Sequence, residues 1–136
     1  MQLEISAGAV LYYDNESNRE YVLVRRRSNG ECGSPKGHIE AGETEEMAAL
    51  REMWEECCVH ATLISGFREV TEYDMPNGNR KRVIYFVASC TEKPKTNPEE
   101  PLEVLRLPYA AAMKAMTFDN SKAILEKAEQ FLKTIG

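Results

Sequence analysis

The sequence predicts an α/β sandwich around one sheet, and three observations carry that expectation. Short runs rich in Val, Leu, Ile and Tyr alternate with turn-forming residues, as strands do. Two further stretches place apolar residues every three or four positions, the spacing of amphipathic helices. The 136 residues, 43% apolar and 29% charged, suit one globular domain, expected over 1–136.

In chain order, residues 3–13 and 20–27 read as strands flanking the turn Asp14-Asn15-Glu16-Ser17-Asn18. Residues 28–42 carry Gly30, Gly33, Pro35, Gly37 and Gly42, too much punctuation for regular structure. A helix fits Thr44 to about Cys57, with Met47, Leu50, Trp54 and Cys57 as its apolar face. Glu45 and Glu46 suit its first turn. Residues 61–74 and 81–90 form a hairpin around Asn77-Gly78, a pair that tolerates the positive φ of a tight turn. Pro94, Pro98 and Pro101 make 91–101 a surface loop, and a short strand near 103–107 follows. Helices over 109–116 and 119–134 end the chain, the second with the stripe Ala123, Ile124, Ala128, Phe131 and Leu132.

Composition narrows the function. The 17 bases and 22 acids leave a net charge of −5, which disfavours nucleic acid as a partner. The apolar stretch Ala7–Tyr13 stops at Asp14, too short for a membrane span, and Glu4 is wrong for a secretion signal. Cysteines 32, 57, 58 and 90 form no CxxC pair and are expected as free thiols. A cytoplasmic protein without membrane contact is expected.

The acids are not spread evenly. Seven glutamates lie between Glu40 and Glu56, and Glu52, Glu55 and Glu56 share one helical face. Such a face is either a solvated acidic surface or a set of hard oxygen ligands for Mg²⁺ or Mn²⁺. Spacing decides between them. Gly37, five residues, Glu43, seven residues, then Arg51-Glu52-Met53-Trp54-Glu55-Glu56-Cys57-Cys58-Val59 resembles the Nudix box, G-x5-E-x7-R-E-U-x-E-E-x-G-U with U apolar. Every defined position matches except the final glycine, which is Cys58.

The resemblance implies an α/β/α sandwich around a mixed sheet and a divalent-metal-dependent hydrolase of nucleotide substrates. It implies metal ligands at Glu52, Glu55, Glu56 and the Lys36 carbonyl, with Arg51 bridging Glu43 and Glu55. Which glutamate accepts the proton from water varies in the family; Glu52 is favoured. Glu99 or Glu100, with Glu100 preferred, would complete the metal site. Cys58, where a left-handed cap is usual, is expected to cost on the order of 1 kcal/mol and to force a local adjustment of the helix end.

The segment Ser34-Pro35-Lys36-Gly37-His38-Ile39-Glu40-Ala41-Gly42-Glu43 is similar to the PKGHxExGE segment of the animal-type diadenosine tetraphosphate hydrolases. Gly66-Phe67-Arg68 and Lys81-Arg82-Val83-Ile84-Tyr85-Phe86 resemble the hairpin of the same subfamily. The resemblance implies hydrolysis of diadenosine tetraphosphate to ATP and AMP. Lys36, His38, Lys81 and Arg82 are donors suited to a phosphate chain, and Tyr85 and, more weakly, Tyr73 are suited to a purine. Glu31-Cys32-Gly33-Ser34 stands where that subfamily carries a tryptophan, so one face of a base clamp is expected to be missing. The rival readings are a Nudix hydrolase acting on a damaged dNTP, a nucleotide sugar or an RNA 5′ end, and a non-catalytic nucleotide sensor. The sequence leaves the oligomeric state open.

Overall fold

The structure, a computed structural model, describes residues 1–15 and 18–135; Glu16 and Ser17 of the expected turn lie outside them. The elements are β1 (Leu3–Asn15), β2 (Asn18–Arg26), β3 (Cys32–Gly33), β4 (Lys36–His38), α1 (Glu45–Cys57), β5 (Thr62–Asp74), β6 (Arg80–Cys90), β7 (Leu102–Leu107), α2 (Tyr109–Ala115) and α3 (Asp119–Ile135). The strands form one sheet in the order β3-β2-β1-β6-β5, with β4 added on β1 and β7 on β2. The β1–β6 pair is parallel and the others antiparallel, so the sheet is mixed.

Alternation along the strands gives each face its own core. Ala7, Ala9, Leu11, Ile84 and Phe86 face α1, whereas Val10, Tyr21, Val83, Tyr85 and Val87 face α2 and α3. Helices on both faces of a mixed sheet make the expected α/β/α sandwich. Among the described residues, no helix is long and apolar enough to cross a membrane. The four cysteines are free.

One feature of the sheet positions the site. β1 and β2 pair only near their hairpin, Leu11–Asn15 against Asn18–Val22. Beyond that they part: β2 continues against β7 and β3, while Ser6, Ala7 and Gly8 of β1 pair with His38, Gly37 and Lys36 of β4. The close approach of β4 requires Gly8, because a Cβ there would lie 2.2 Å from the Pro35 carbonyl oxygen and 2.6 Å from Lys36 Cβ. The strands therefore leave a split in the sheet.

The loop expected over 28–42 thus contains two short strands, since pairing with distant β1 and β2 outweighs the local turn signals. The buried face of α1 also differs from expectation. It is Ala48, Ala49, Met53, Glu56 and Cys57, while Met47 and Trp54 are exposed. Small alanines let the helix lie close on β1, and Trp54 stacks on His60 at 4.3 Å between ring centres instead. In α3, Leu125 takes the buried place expected for Ala123, which is exposed.

Candidate active site

The loop after β4 delivers the chain to Thr44, whose side chain accepts the Met47 N–H at 3.1 Å and starts α1. Two turns on, Arg51 ties loop to helix. Its Nε and Nη2 reach the Glu43 carboxylate at 2.7 and 3.0 Å, and Nη1 reaches Glu52 at 2.7 Å and Glu55 at 3.0 Å. Nη2 also donates to the His38 carbonyl at 2.8 Å. The bridge between Glu43 and Glu55 is present, with Glu52 as a further partner. The Arg51 hydrogen bonds hold the Glu43 carboxyl below its ordinary range.

Glu52 and Glu56 point toward β4. A Cβ on Gly37 would fall 2.2 Å from Glu52 Oε1, so only glycine fits against that carboxylate. The Lys36 backbone N–H donates to Glu56 Oε1 at 3.0 Å. Glu56 is 9% exposed, and burial together with the Glu52 charge pushes its carboxyl up to about 8. Burial raises Glu52 as well, against the pull of Arg51. The Glu100 charge adds a smaller upward push at both. The loop after β6 is tied to the end of α1 by Asn97 Nδ2, which donates to the Glu55 carbonyl at 2.8 Å.

The end of α1 needs no adjustment. Cys58 itself adopts φ 60° and ψ 35°, its N–H closing on the Trp54 carbonyl at 3.0 Å. It is the one non-glycine residue with positive φ among the described residues. The expected local rearrangement does not occur, because the cysteine accepts the left-handed conformation that a glycine would take without strain.

Through the split, the other face of the sheet opens as a cleft of about 760 Å³ lined by Ser6, Lys36, His38, Tyr73, Lys81 and Tyr85 among others. A smaller cavity of about 110 Å³ joins Glu56 to Lys36 and Tyr85. Alternation on β4 explains the division: Lys36 and His38 face the cleft while Gly37 faces Glu52. Burial lowers the Lys36 and Lys81 ammonium groups, and Lys36 itself adds to the effect on Lys81. Tyr85 is buried, and the Tyr73 ring stands beside Lys81 in the register of β5 and β6.

Arg82 does not join them. It lies on the opposite face from Lys81, and its Nε pairs with Glu72 at 2.7 Å. The resembling segment Gly66-Phe67-Arg68 forms an irregularity of β5, with Phe67 buried near Phe131 and Arg68 bound twice to Glu45 of α1 at 2.9 Å.

Arg26, from the basic triplet Arg25-Arg26-Arg27, lines both cavities, and so do Phe118 and Ser121, which carried no signal in the sequence. Phe118 is held at the rim because the preceding Thr117 exchanges two hydrogen bonds with Cys32, at 2.8 and 3.0 Å. It lines the smaller cavity together with Glu31, Cys32, Gly33 and Ser34, the stretch where a tryptophan was expected to be lacking.

The donor set fits a hard divalent cation. All the side-chain donors are carboxylate oxygens, and burial, with the Glu52 charge added, raises the Glu56 carboxyl strongly. Among the described residues no three ligating groups stand close enough to cage an ion outright. Arg51 draws Glu52 and Glu55 to itself.

A family model of the NUDIX domain matches residues 3–128. The asymmetrical bis(5′-nucleosyl)-tetraphosphatase of Sus scrofa is 34% identical over 83% of this chain and 80% of its own. An 8-oxo-(d)GTP phosphatase of Mycolicibacterium smegmatis is 31% identical over 90% of this chain, which spans 40% of that relative's length. Among solved structures, a binary complex of the C. elegans Ap4A hydrolase superposes with a TM-score of 0.86 at 25% identity, covering 97% of this chain and 99% of that one. The loop–helix clamp, the sandwich that carries it and these matches agree: the chain belongs to the Nudix family and is a Nudix hydrolase.

Proposed function

We propose that this hydrolase cleaves a phosphoanhydride bond in nucleoside polyphosphates, with diadenosine tetraphosphate its substrate and ATP and AMP the products. The observation that carries the reading is the meeting, across the split sheet, of an acidic cluster with a cleft lined by lysines and aromatic rings. The names of the tetraphosphatase relatives support it.

Hydrolases of this family generally need a divalent cation. Glu52, Glu55, Glu56, Glu100 and the Lys36 carbonyl would hold Mg²⁺ or Mn²⁺, which when bound neutralises phosphate charge and acidifies a water. The chain's own residues do the rest. Glu52 accepts the proton of the attacking water, whose oxygen bonds to phosphorus as the bridging P–O bond breaks. Arg51, fixed by Glu43, keeps Glu52 and Glu55 in place. Lys36, Lys81 and His38 neutralise the phosphate chain along the cleft. Tyr73 and Phe118 offer faces to a base, and Tyr85 lines the passage to Glu56. A cleft of about 760 Å³ is in the range that ligands of this size fill. Four free thiols suit a reducing, cytoplasmic setting.

The test is a Mg²⁺- and Mn²⁺-supplemented hydrolysis screen over dinucleoside polyphosphates, 8-oxo-dGTP, nucleotide sugars and triphosphorylated RNA, with products identified. ATP plus AMP from the tetraphosphate, at a higher kcat/KM than any other substrate, is expected. Efficient turnover of another class with none of the tetraphosphate would overturn the substrate reading.

A further inference from the structure

Ser6 is 1% exposed, and its Oγ has no hydrogen-bond partner among the described residues. A buried hydroxyl left unpaired is unfavourable, and such groups call for an explanation. The register of four strands supplies one. On the cleft face, Lys36, Gly8, Tyr85 and Glu69 form one row across β4, β1, β6 and β5. His38, Ser6, Val83 and Thr71 form the next, and Glu4, Lys81 and Tyr73 the third. Successive rows lie about 7 Å apart along the strands, so Ser6 sits between the rows that bear the two lysines.

Both lysines lack an ion-pair partner among the described residues. Lys81 is 4% exposed, and both lysines line the cleft that Ser6 lines. The carboxylate nearest in register, Glu4, is occupied elsewhere: Asn79 Nδ2 holds it at 2.8 Å and Asn77 Nδ2 at 3.3 Å. Two unpaired cations, one of them buried, and an orphaned hydroxyl donor thus line the same cleft. Gly8 lets β4 lie against β1 there, which sets Lys36 in the row beside Ser6.

We infer that Ser6 is a phosphate-recognising residue, its hydroxyl donating to a phosphoryl oxygen of the substrate chain held between Lys36 and Lys81. This rests on the reading of the chain as a nucleoside-polyphosphate hydrolase and adds to it a residue that selects for chain length. A phosphoryl group beyond the scissile bond occupies the lysine side of the split while the cleaved bond lies at the glutamates. Substrates too short to reach Ser6 forgo that contact.

The test measures tripolyphosphate binding to the metal-free protein in EDTA by titration calorimetry, with sulfate at equal ionic strength as the control for bulk charge. Wild type is expected to bind tripolyphosphate, Ser6→Ala about tenfold more weakly, and Lys81→Met more weakly still. Sulfate should compete poorly and with little dependence on Ser6. In the hydrolysis assay Ser6→Ala should raise KM for a dinucleoside tetraphosphate with kcat nearly unchanged, and leave an ADP-linked sugar unaffected. Its unfolding midpoint should match or exceed wild type, because an unpaired hydroxyl has been removed. Ser6→Cys, a weaker donor of similar size, should bind with intermediate affinity and serves if the alanine variant folds poorly. Unchanged tripolyphosphate binding in both variants overturns the inference, as does a lower midpoint with normal binding. If no dinucleoside polyphosphate is hydrolysed yet binding still depends on Ser6, the substrate reading fails and the anion site stands.

Discussion

Replacing Glu56 by glutamine should stabilise the metal-free protein at alkaline pH while abolishing most of its activity. Glu56 lies 9% exposed beside Glu52, and its carboxyl is pushed from an ordinary 4.5 up to about 8. The folded state therefore keeps a proton that the unfolded chain releases. The stability this lends is complete below about 4.5 and drains away as the pH rises through 8. Each pH unit in that window is worth about 1.4 kcal/mol, so the metal-free fold loses on the order of 4–5 kcal/mol between pH 5 and 9. Glutamine imitates the protonated acid and retains an oxygen for the Lys36 N–H, so most of that slope should vanish. Urea unfolding in EDTA across this range, for both proteins, measures the difference directly. Added Mg²⁺ should restore wild type at pH 9 far more than the variant, since ions bound only by the folded state stabilise it. In the assay kcat should fall by about 10²–10³. Parallel stability curves for the two proteins would refute the reasoning, because Glu56 would then be ionised in the fold at neutral pH.

Four further outcomes are expected. Cys58→Gly relieves the left-handed conformation and should raise the unfolding free energy by about 0.5–1 kcal/mol, less than the full strain because glycine also loosens the unfolded chain; a lower denaturation midpoint would contradict this. Gly37→Ala forces a methyl group onto the Glu52 carboxylate and should reduce kcat about 10²-fold with the circular dichroism of the fold retained. Arg51→Met strands Glu43, Glu52 and Glu55 without their cation and should destabilise by about 2–4 kcal/mol at pH 7, a loss that shrinks below pH 4 as the acids protonate. Tyr73→Ala or Phe118→Ala should raise KM for a dinucleotide about tenfold and leave inorganic tripolyphosphate binding untouched.

The acidic helix was legible because charged residues at fixed intervals define a face whatever the rest of the fold does. Its buried side was not. Counting apolar residues favoured Met47 and Trp54, yet close packing on β1 selects Ala48 and Ala49, and a buried glutamate has no place in a hydropathy pattern. The strands β3 and β4 escaped for a different reason: their partners lie far away in sequence, and Gly8 reads as an ordinary strand residue until β4 is laid against it. Strict alternation separates Lys81 from Arg82, and that rule already stood in the sequence once the strand was recognised. Phe118 depends on the Thr117–Cys32 pairing across 85 residues and could not be read from either end alone. Ser6 became meaningful only when its missing partner was visible.

The parting of β1 from β2 carries a hazard as well as a site. A strand that loses its neighbour shows unpaired amide and carbonyl groups, a template on which other chains aggregate. Here three residues of β4 both cover that bare edge and bring Lys36 and Gly37 to the proposed site. The geometry of the proposed site and protection from self-association are thus vested in one short segment. Damage to β4 should show itself in two ways at once, as lost turnover and as precipitate, whereas damage to α1 should leave the protein inactive but clear in solution.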